Sequence, residues 1–306
     1  MSIDINASNF ISEFDPKKGN VGVIGHGYVG QAVAAFFEKT FTTRIYDKFK
    51  PQLGNLKDLV TFSEVIFVAV PSPMNTDGTC HTSIVESVLF DIQVAADEVG
   101  RASDAFVVVL KSTVPPGFTE RMQRKWPTLR IVFSPEFLTE ANSVLDFENQ
   151  NRVVLGGDED DARVVFKYFE AVAPQRVLED RLVILQCSST TAELVKLFTN
   201  GILMTKVLFS NEIYQVCQRM GVDYEEVRVL SCLDKRIGSS HTLVPGPDGK
   251  LGAGGSCFPK DINNLASLCR SLDIPERMFT AVIKRNSELR PEEDWKELKG
   301  RAVVDG

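Results

Sequence analysis

A chain of 306 residues can bury a sizeable core and has room for two domains more comfortably than for one or three. With 43% hydrophobic and 25% charged residues and 20 Phe it is globular rather than disordered, and a formal charge of -7 excludes an electrostatic footprint for nucleic acid. That balance leaves room for a small anionic ligand, which a few backbone amides and cationic side chains can hold.

The six cysteines (Cys80, Cys187, Cys217, Cys232, Cys257 and Cys269) form no CxxC pair, so neither a metal site nor a disulfide framework is expected, and a reducing compartment fits. The polar start around Asp15-Pro16 lacks the apolar core of a signal peptide, and no apolar run is long enough to span a bilayer. The expectation is a soluble, cytoplasmic protein with no membrane partner.

Residues 1–19 read as an extension. Over 20–150, short β-rich runs alternate with amphipathic stretches: VGVIG, a helix over 29–39, TRIYD, VIFVAV, a helix over 83–99, AFVVVLKST, a helix from Pro116, and RIVFSP. This alternation predicts an α/β fold with βαβ units around a Rossmann-type parallel sheet, and the nearly continuous apolar runs predict strands covered on both faces. Residues 151–188, with VVLGG, a helix over 160–173 and the strand-like VLEDRLVIL, complete this first domain or connect it to the next. A long helix from about Ser189 to Met220, with candidate caps in residues 188–193 and a stop at Gly221, opens a mostly helical central domain over 189–290. It is chiefly a scaffold and secondarily the seam of a homodimer. Residues 236–261, rich in Gly and Pro, read as a long loop of the kind that is often functional. Residues 291–306 form a short tail.

Gly25-His26-Gly27-Tyr28-Val29-Gly30 follows a strand and opens a helix. The first glycine permits the tight turn, the second lets a pyrophosphate approach the backbone, and the third allows close helix–strand packing. Asp47 closes the next strand about 20 residues on, where a carboxylate accepts the ribose hydroxyls and disfavours a 2′-phosphate. NAD is therefore expected over NADP, with Lys48 the one neighbour that tolerates NADP. Glu136 with Glu140, and Lys196 with Asn200, stand four apart, a spacing that shares one helix face; each pair alone reads mostly as solvated surface or cap. Cys257 sits where flexible Gly254-Gly255-Ser256 ends and a helix begins, and a thiolate there gains from helix-end amides and from Lys260. The other cysteines read as small buried hydrophobes, and His26, His81 and His241 carry no catalytic expectation. Thr113 ends a strand, where open α/β sheets place their sites, with a helix cap as its alternative role.

GHGYVG, VPSP, KSTVPPG, SPEFLTEA, AELVKLFTN and VPGPDGKLGAGGSCFPKD follow one another in that order, and together they resemble the UDP-glucose/GDP-mannose dehydrogenase family. The resemblance implies an NAD domain, a central domain about a dimerising helix, and four-electron oxidation of the C6 alcohol of a nucleotide sugar. Among such sugars, UDP-glucose is favoured over GDP-mannose and UDP-N-acetylated sugars. It makes Cys257 the nucleophile that carries a thiohemiacetal and then a thioester, Lys196 and Asn200 the oxyanion donors, and Glu140 with Thr113 and a water the proton-transfer groups. Asp261 positions or activates Cys257. The implied cofactor contacts are Gly25, Gly27, Tyr28, Val29, Gly30, Asp47, Lys48, Pro71, Ser112, Thr113 and Glu140. The implied substrate contacts are Glu136, Phe137, Leu138, Lys196, Asn200, Arg236, Gly252, Gly254, Gly255 and Lys260.

Three departures accompany the resemblance. Most of the family's third, nucleotide-covering domain is expected to be missing, with residues 295–306 resembling its last strand; Ala253 stands where an aromatic is common, and His81 where an Asp is common. Two other readings stay open: a two-electron β-hydroxyacid dehydrogenase, which shares the glycine motif and the Lys-Asn pair but needs no Cys257, and a non-catalytic NAD-binding remnant.

Overall fold

The computed structural model describes residues 3–4 and 19–304, so the expected extension over 1–19 lies almost wholly outside the described residues, as do residues 305–306 of the tail. Eight strands, β1 (Ile3–Asp4), β2 (Asn20–Ile24), β3 (Thr42–Tyr46), β4 (Val65–Val68), β5 (Val107–Leu110), β6 (Arg130–Phe133), β7 (Arg152–Gly156) and β8 (Val183–Cys187), form one sheet in the order β1-β8-β7-β6-β5-β4-β2-β3. Strands β2 to β6 pair in parallel, as do β7 and β8, while β7 meets β6, and β1 meets β8, antiparallel. The chain leaves β2 for β3 on one side and returns for β4 on the other, which makes the carboxyl ends of β2 and β4 a topological switch point.

The strands are apolar on both faces because both faces are covered. Val65, Phe67, Val107 and Val109 point into one core with Phe36, Phe37, Phe147 and Phe169, and the intervening Ile66, Val68, Val108 and Leu110 point into a second with Leu89, Ile92 and Phe118. The aromatic cluster is tight: Phe37 stacks on Phe67 at 4.8 Å and meets Phe169 edge-on at 5.1 Å.

The helices are α1 (Tyr28–Phe37), α2 (Leu56–Phe62), α3 (Ser83–Glu98), α4 (Phe118–Lys125), α5 (Ser143–Asn149), α6 (Glu159–Val172), α7 (Pro174–Leu178), α8 (Ser189–Met220), α9 (Tyr224–Cys232), α10 (Phe258–Ser271) and α11 (Arg277–Leu289). α8 has the bounds expected from sequence, its start capped by Ser188, whose hydroxyl accepts from Thr191 N at 3.1 Å. α4 begins at Phe118 and not Pro116, because Gly117 is left-handed (φ 86°) and the first-turn amides are taken by Glu193: Gly117 N and Thr119 N donate to its carboxylate at 2.6 and 2.8 Å. Burial raises the pKa of that carboxyl despite these donors. The VLED expected at the start of a strand instead straddles the end of α7, since Pro174 suits a first helical turn, and β8 begins at Val183. The loop expected over 236–261 ends at Cys257, with residues 258–261 in α10.

Two compact units divide the chain: Met1–Ser72 with Thr82–Lys196, and Pro73–His81 with Leu197–Gly306. The second is helical, with Leu197, Met204 and Leu208 of α8 packed with Ile262 and Leu265 of α10 and Val282 of α11. The segment Pro73–His81 belongs to it through backbone pairing, Met74 N donating to Ala302 O at 2.8 Å and Val304 N to Met74 O at 3.0 Å. Trp295 and Ala302 are buried in the same unit. Among the described residues no helix is long and apolar enough to cross a membrane, and no group of His, Cys, Asp and Glu could hold a metal ion.

Candidate active site

In the first unit, strand register decides where the motifs emerge. Ile24 pairs with Tyr46 and Val68, Val68 with Leu110, and Leu110 with Phe133. The segments that follow these residues (the glycine loop, Asp47, Val70-Pro71, residues 111–113 and residues 134–136) therefore leave one edge of the sheet, at its switch point.

The glycine loop is built by sterics. A side chain at Gly30 would put its Cβ 1.8 Å from Gly25 O, and Gly25 itself has φ 88° with Ala69 O 2.5 Å from where a Cβ would lie. Gly27 differs: nothing lies within 4 Å of its Cβ position, so the space beside it is open where a phosphate would approach. Gly27 caps α1 without a side-chain bond, and no carboxylate occupies the first turn to repel an anion. Asp47 closes on this loop by accepting from His26 N at 2.8 Å and Phe49 N at 2.9 Å. Burial pushes the Asp47 carboxyl up, but the two amides and the Lys50 charge outweigh it and hold it below the usual carboxylate range. Lys50, which sequence reasoning missed, donates to His26 O at 2.7 Å, whereas Lys48 is exposed. The residues present thus fit the diphosphate and ribose of NAD. Val29 lies half-buried on α1, Tyr28 starts that helix, and Pro71 is exposed.

Beyond β5 and β6 the side chains interlock. Ser112 Oγ donates to Val70 O at 2.7 Å and accepts from Val70 N at 3.0 Å, tying the ends of β4 and β5. Thr113 is half-buried beside it. Lys111, also missed, is buried and pairs with the buried Glu136 carboxylate at 3.0 Å. Glu136 accepts from Phe137 N at 2.8 Å, and its main-chain oxygen accepts from Lys196 Nζ. The Phe137 ring takes the Arg152 guanidinium at 4.4 Å and the Lys196 ammonium at 5.5 Å. Leu138 packs against the first core, and Glu140 is exposed.

In the second unit, Cys257 is the N-cap residue of α10, half-buried, with its carbonyl accepting from Asp261 N at 2.9 Å and its own side chain capping nothing. Within the first turn Lys260 and Asp261 are buried and paired, and Asn200 of α8 donates to Asp261 at 2.5 Å. Burial alone would lower the Lys260 pKa; Asp261, and the nearby thiols Cys80 and Cys257, raise it above the usual lysine range. The preceding loop is clamped by α11, as Asn286 donates to Ala253 O and accepts from Ala253 N at 2.9 and 2.7 Å. Gly252 N donates to Asn211 at 3.2 Å, and a Cβ at Gly254 would meet Arg290 at 2.5 Å. Gly255, at φ 72°, faces open space, and Ala253 is buried in the core of this unit. Arg236 stands apart on an exposed turn, bonded to Asp234. His81 Nδ1 lies 3.0 Å from Asn75 Oδ1 in the turn that Pro73–His81 makes. The i, i+4 spacing of Asn286 and Arg290 was the one signal that could have drawn attention to the clamp.

Residues 53–171 match the NAD binding domain of the UDP-glucose/GDP-mannose dehydrogenase family, and residues 190–288 match its central domain. UDP-glucose 6-dehydrogenase of Streptococcus pneumoniae is 28% identical over 295 residues, which are 87% of this chain and 72% of that protein. UDP-glucose 6-dehydrogenase of Pseudomonas aeruginosa is 34% identical over 76% of this chain and 51% of that protein, so the chain spans about half the length of that relative. A solved UDP-glucose dehydrogenase from the hyperthermophilic archaeon Pyrobaculum islandicum superposes with TM-score 0.73 at 29% identity, covering 89% of this chain and 69% of that one.

Proposed function

This chain belongs to the UDP-glucose/GDP-mannose dehydrogenase family, and we propose that it oxidises the C6 alcohol of a nucleotide sugar, UDP-glucose in first place, to the carboxylate through a thioester on Cys257. The observation that carries this reading is the setting of Cys257 at the head of α10, above a buried Lys260–Asp261 pair tied to Asn200. A two-electron alcohol dehydrogenase has no use for a thiol so placed.

NAD, when bound, accepts a hydride in each of two successive oxidations. Glu140, through a water shared with Thr113, takes the proton of the C6 alcohol and later that of the hydrolytic water. Cys257 Sγ attacks the resulting aldehyde carbon; the S–C bond forms as the carbonyl π pair moves to oxygen. Lys196 and Asn200 donate to that oxyanion, which collapses to the thioester as hydride departs. Water then adds to the thioester carbon, the C–S bond breaks, and the Cys257 thiolate returns. Phe137, Leu138, Arg236, Lys260 and the backbone of Gly252, Gly254 and Gly255 contact the nucleotide sugar.

The test counts NADH formed per UDP-glucose consumed. Two per sugar supports the four-electron reading; one per sugar identifies a two-electron dehydrogenase, and none across a panel of nucleotide sugars identifies a non-catalytic protein.

Asp47→Ala is expected to weaken NAD binding by about 10-fold or more, the worth of a charge-assisted hydrogen bond to the ribose, and to narrow the preference over NADP. Titration calorimetry with both dinucleotides checks this, and an unchanged NAD affinity removes Asp47 from the cofactor site.

α8 also carries Phe198, Ile202, Phe209, Val216 and Met220 exposed along its length. This face is proposed as the seam of a homodimer. A monomeric mass in solution scattering at micromolar concentration refutes it, and Phe209→Glu is expected to shift a dimer to monomer.

A further inference from the structure

We infer that Lys111 is a positioning residue for the oxidation proposed above, acting through Glu136 on the ammonium of Lys196. The Lys111 side chain is 1% exposed, and its partners come from one turn at the end of β6: it is ion-paired to the Glu136 carboxylate at 3.0 Å and donates to Ser134 Oγ at 3.3 Å and Pro135 O at 3.4 Å. The Phe147 ring lies 5.4 Å from it. Its place is dictated by the sheet: Lys111 N donates to Val68 O and Ser134 N to Leu110 O, both at 2.9 Å, so Lys111 and Ser134 leave neighbouring strands together.

The consequence falls on the next peptide. Glu136 presents one carboxylate oxygen to Lys111 and the other to its own Phe137 N, so the side chain folds back across the backbone and fixes the 136–137 peptide. The carbonyl of Glu136 receives Lys196. A buried ion pair is a poor way to gain stability, since well-packed apolar side chains hold a turn equally well. What a charged pair supplies here is direction: it aims a carbonyl, and the carbonyl aims the ammonium that steadies the oxyanion. Loss of Lys111 frees the Glu136 carboxylate, lets the peptide turn and releases Lys196.

The experiment compares Lys111→Met and Lys111→Arg in the full chain, alone and with Lys196→Ala, reading kcat, both KM values and NAD affinity. Lys111→Met is expected to lower kcat by about 30-fold or more with both KM values within about 3-fold, and Lys111→Arg to recover part of the loss. Because Lys111 acts through Lys196, Lys111→Met adds nothing further in the Lys196→Ala background. Unchanged kcat, or an equal loss in both backgrounds, overturns the inference. If Lys111→Met does not fold, Lys111→Gln, which keeps a hydrogen bond and drops the charge, takes its place. If the wild-type protein turns over no nucleotide sugar, the oxidation reading fails on its own, and urea unfolding of Lys111→Met, Glu136→Gln and the double variant decides the anchoring. Coupling above about 10-fold in the unfolding constant supports it, and additivity overturns it.

Discussion

Cys257→Ala is expected to fold, to bind NAD with unchanged affinity, and to release carboxylate at least about 1,000-fold more slowly than the wild-type protein, the scale of loss seen when a covalent nucleophile is removed. Folding survives because the Cys257 side chain caps no amide of α10 and is only half-buried, so its truncation leaves no large cavity. NAD binding survives because the glycine loop and Asp47 belong to the other unit of the chain. The first oxidation needs no thiol, whereas the second needs a tetrahedral adduct that can give up hydride. Stopped-flow NADH absorbance with mass analysis of the sugar separates the two steps. Two NADH per sugar from Cys257→Ala, at a rate within about 10-fold of wild type, would sink the thioester.

Asp261→Ala is expected to cost about 3–5 kcal/mol of unfolding free energy, the penalty for removing one partner of a buried ion pair. Asp261 is fully buried and accepts from Lys260 and Asn200, so its loss strands an ammonium in a site with almost no access to water. In the wild-type protein the Lys260 pKa is raised on folding, so the stability it contributes is whole below about pH 10 and lost only as pH climbs through the higher folded value. Between pH 7 and 9 the wild-type contribution is flat. Without Asp261, burial is the largest remaining influence and pulls the Lys260 pKa down against Cys80 and Cys257, so the unfolded state is expected to bind more protons and the variant to gain stability as pH rises. Urea denaturation at pH 7 and 9 reads both effects, and Lys260→Met combined with Asp261→Leu is expected to restore most of the loss. A cost under about 1 kcal/mol with no pH trend would show that the pair is solvated.

Local signals made much of the fold legible. α8 could be bounded because Ser188 and Gly221 mark its ends, and the two-faced strands could be recognised because VIFV and VVVL are apolar at every position. Where local signals competed, expectation slipped: apolar Val177 and Leu178 looked like strand until Pro174 began a helix, and Pro116 looked like a helix start until Gly117 turned left-handed. Long-range pairings were not legible at all. Nothing in KSTVPPG marks Lys111 as buried, because its partner Glu136 arrives in the turn after the next strand, and a lysine reads as solvated unless that partner is known. The clamp of Asn286 and Arg290 on the glycine-rich loop left only their i, i+4 spacing as a trace, which does not name the partner, and the membership of Pro73–His81 in the helical unit left none.

That last membership bears on how the protein is made. During synthesis Met74 emerges early, between β4 and β5 in chain order, yet its backbone partners Ala302 and Val304 leave the ribosome only after α8 to α11. Contacts so far apart in sequence close late and are slow to form. The helical unit is therefore discontinuous in sequence and closed by a non-local pairing, and a fragment starting at Leu197 would lack the Met74 backbone with which residues 302–304 pair.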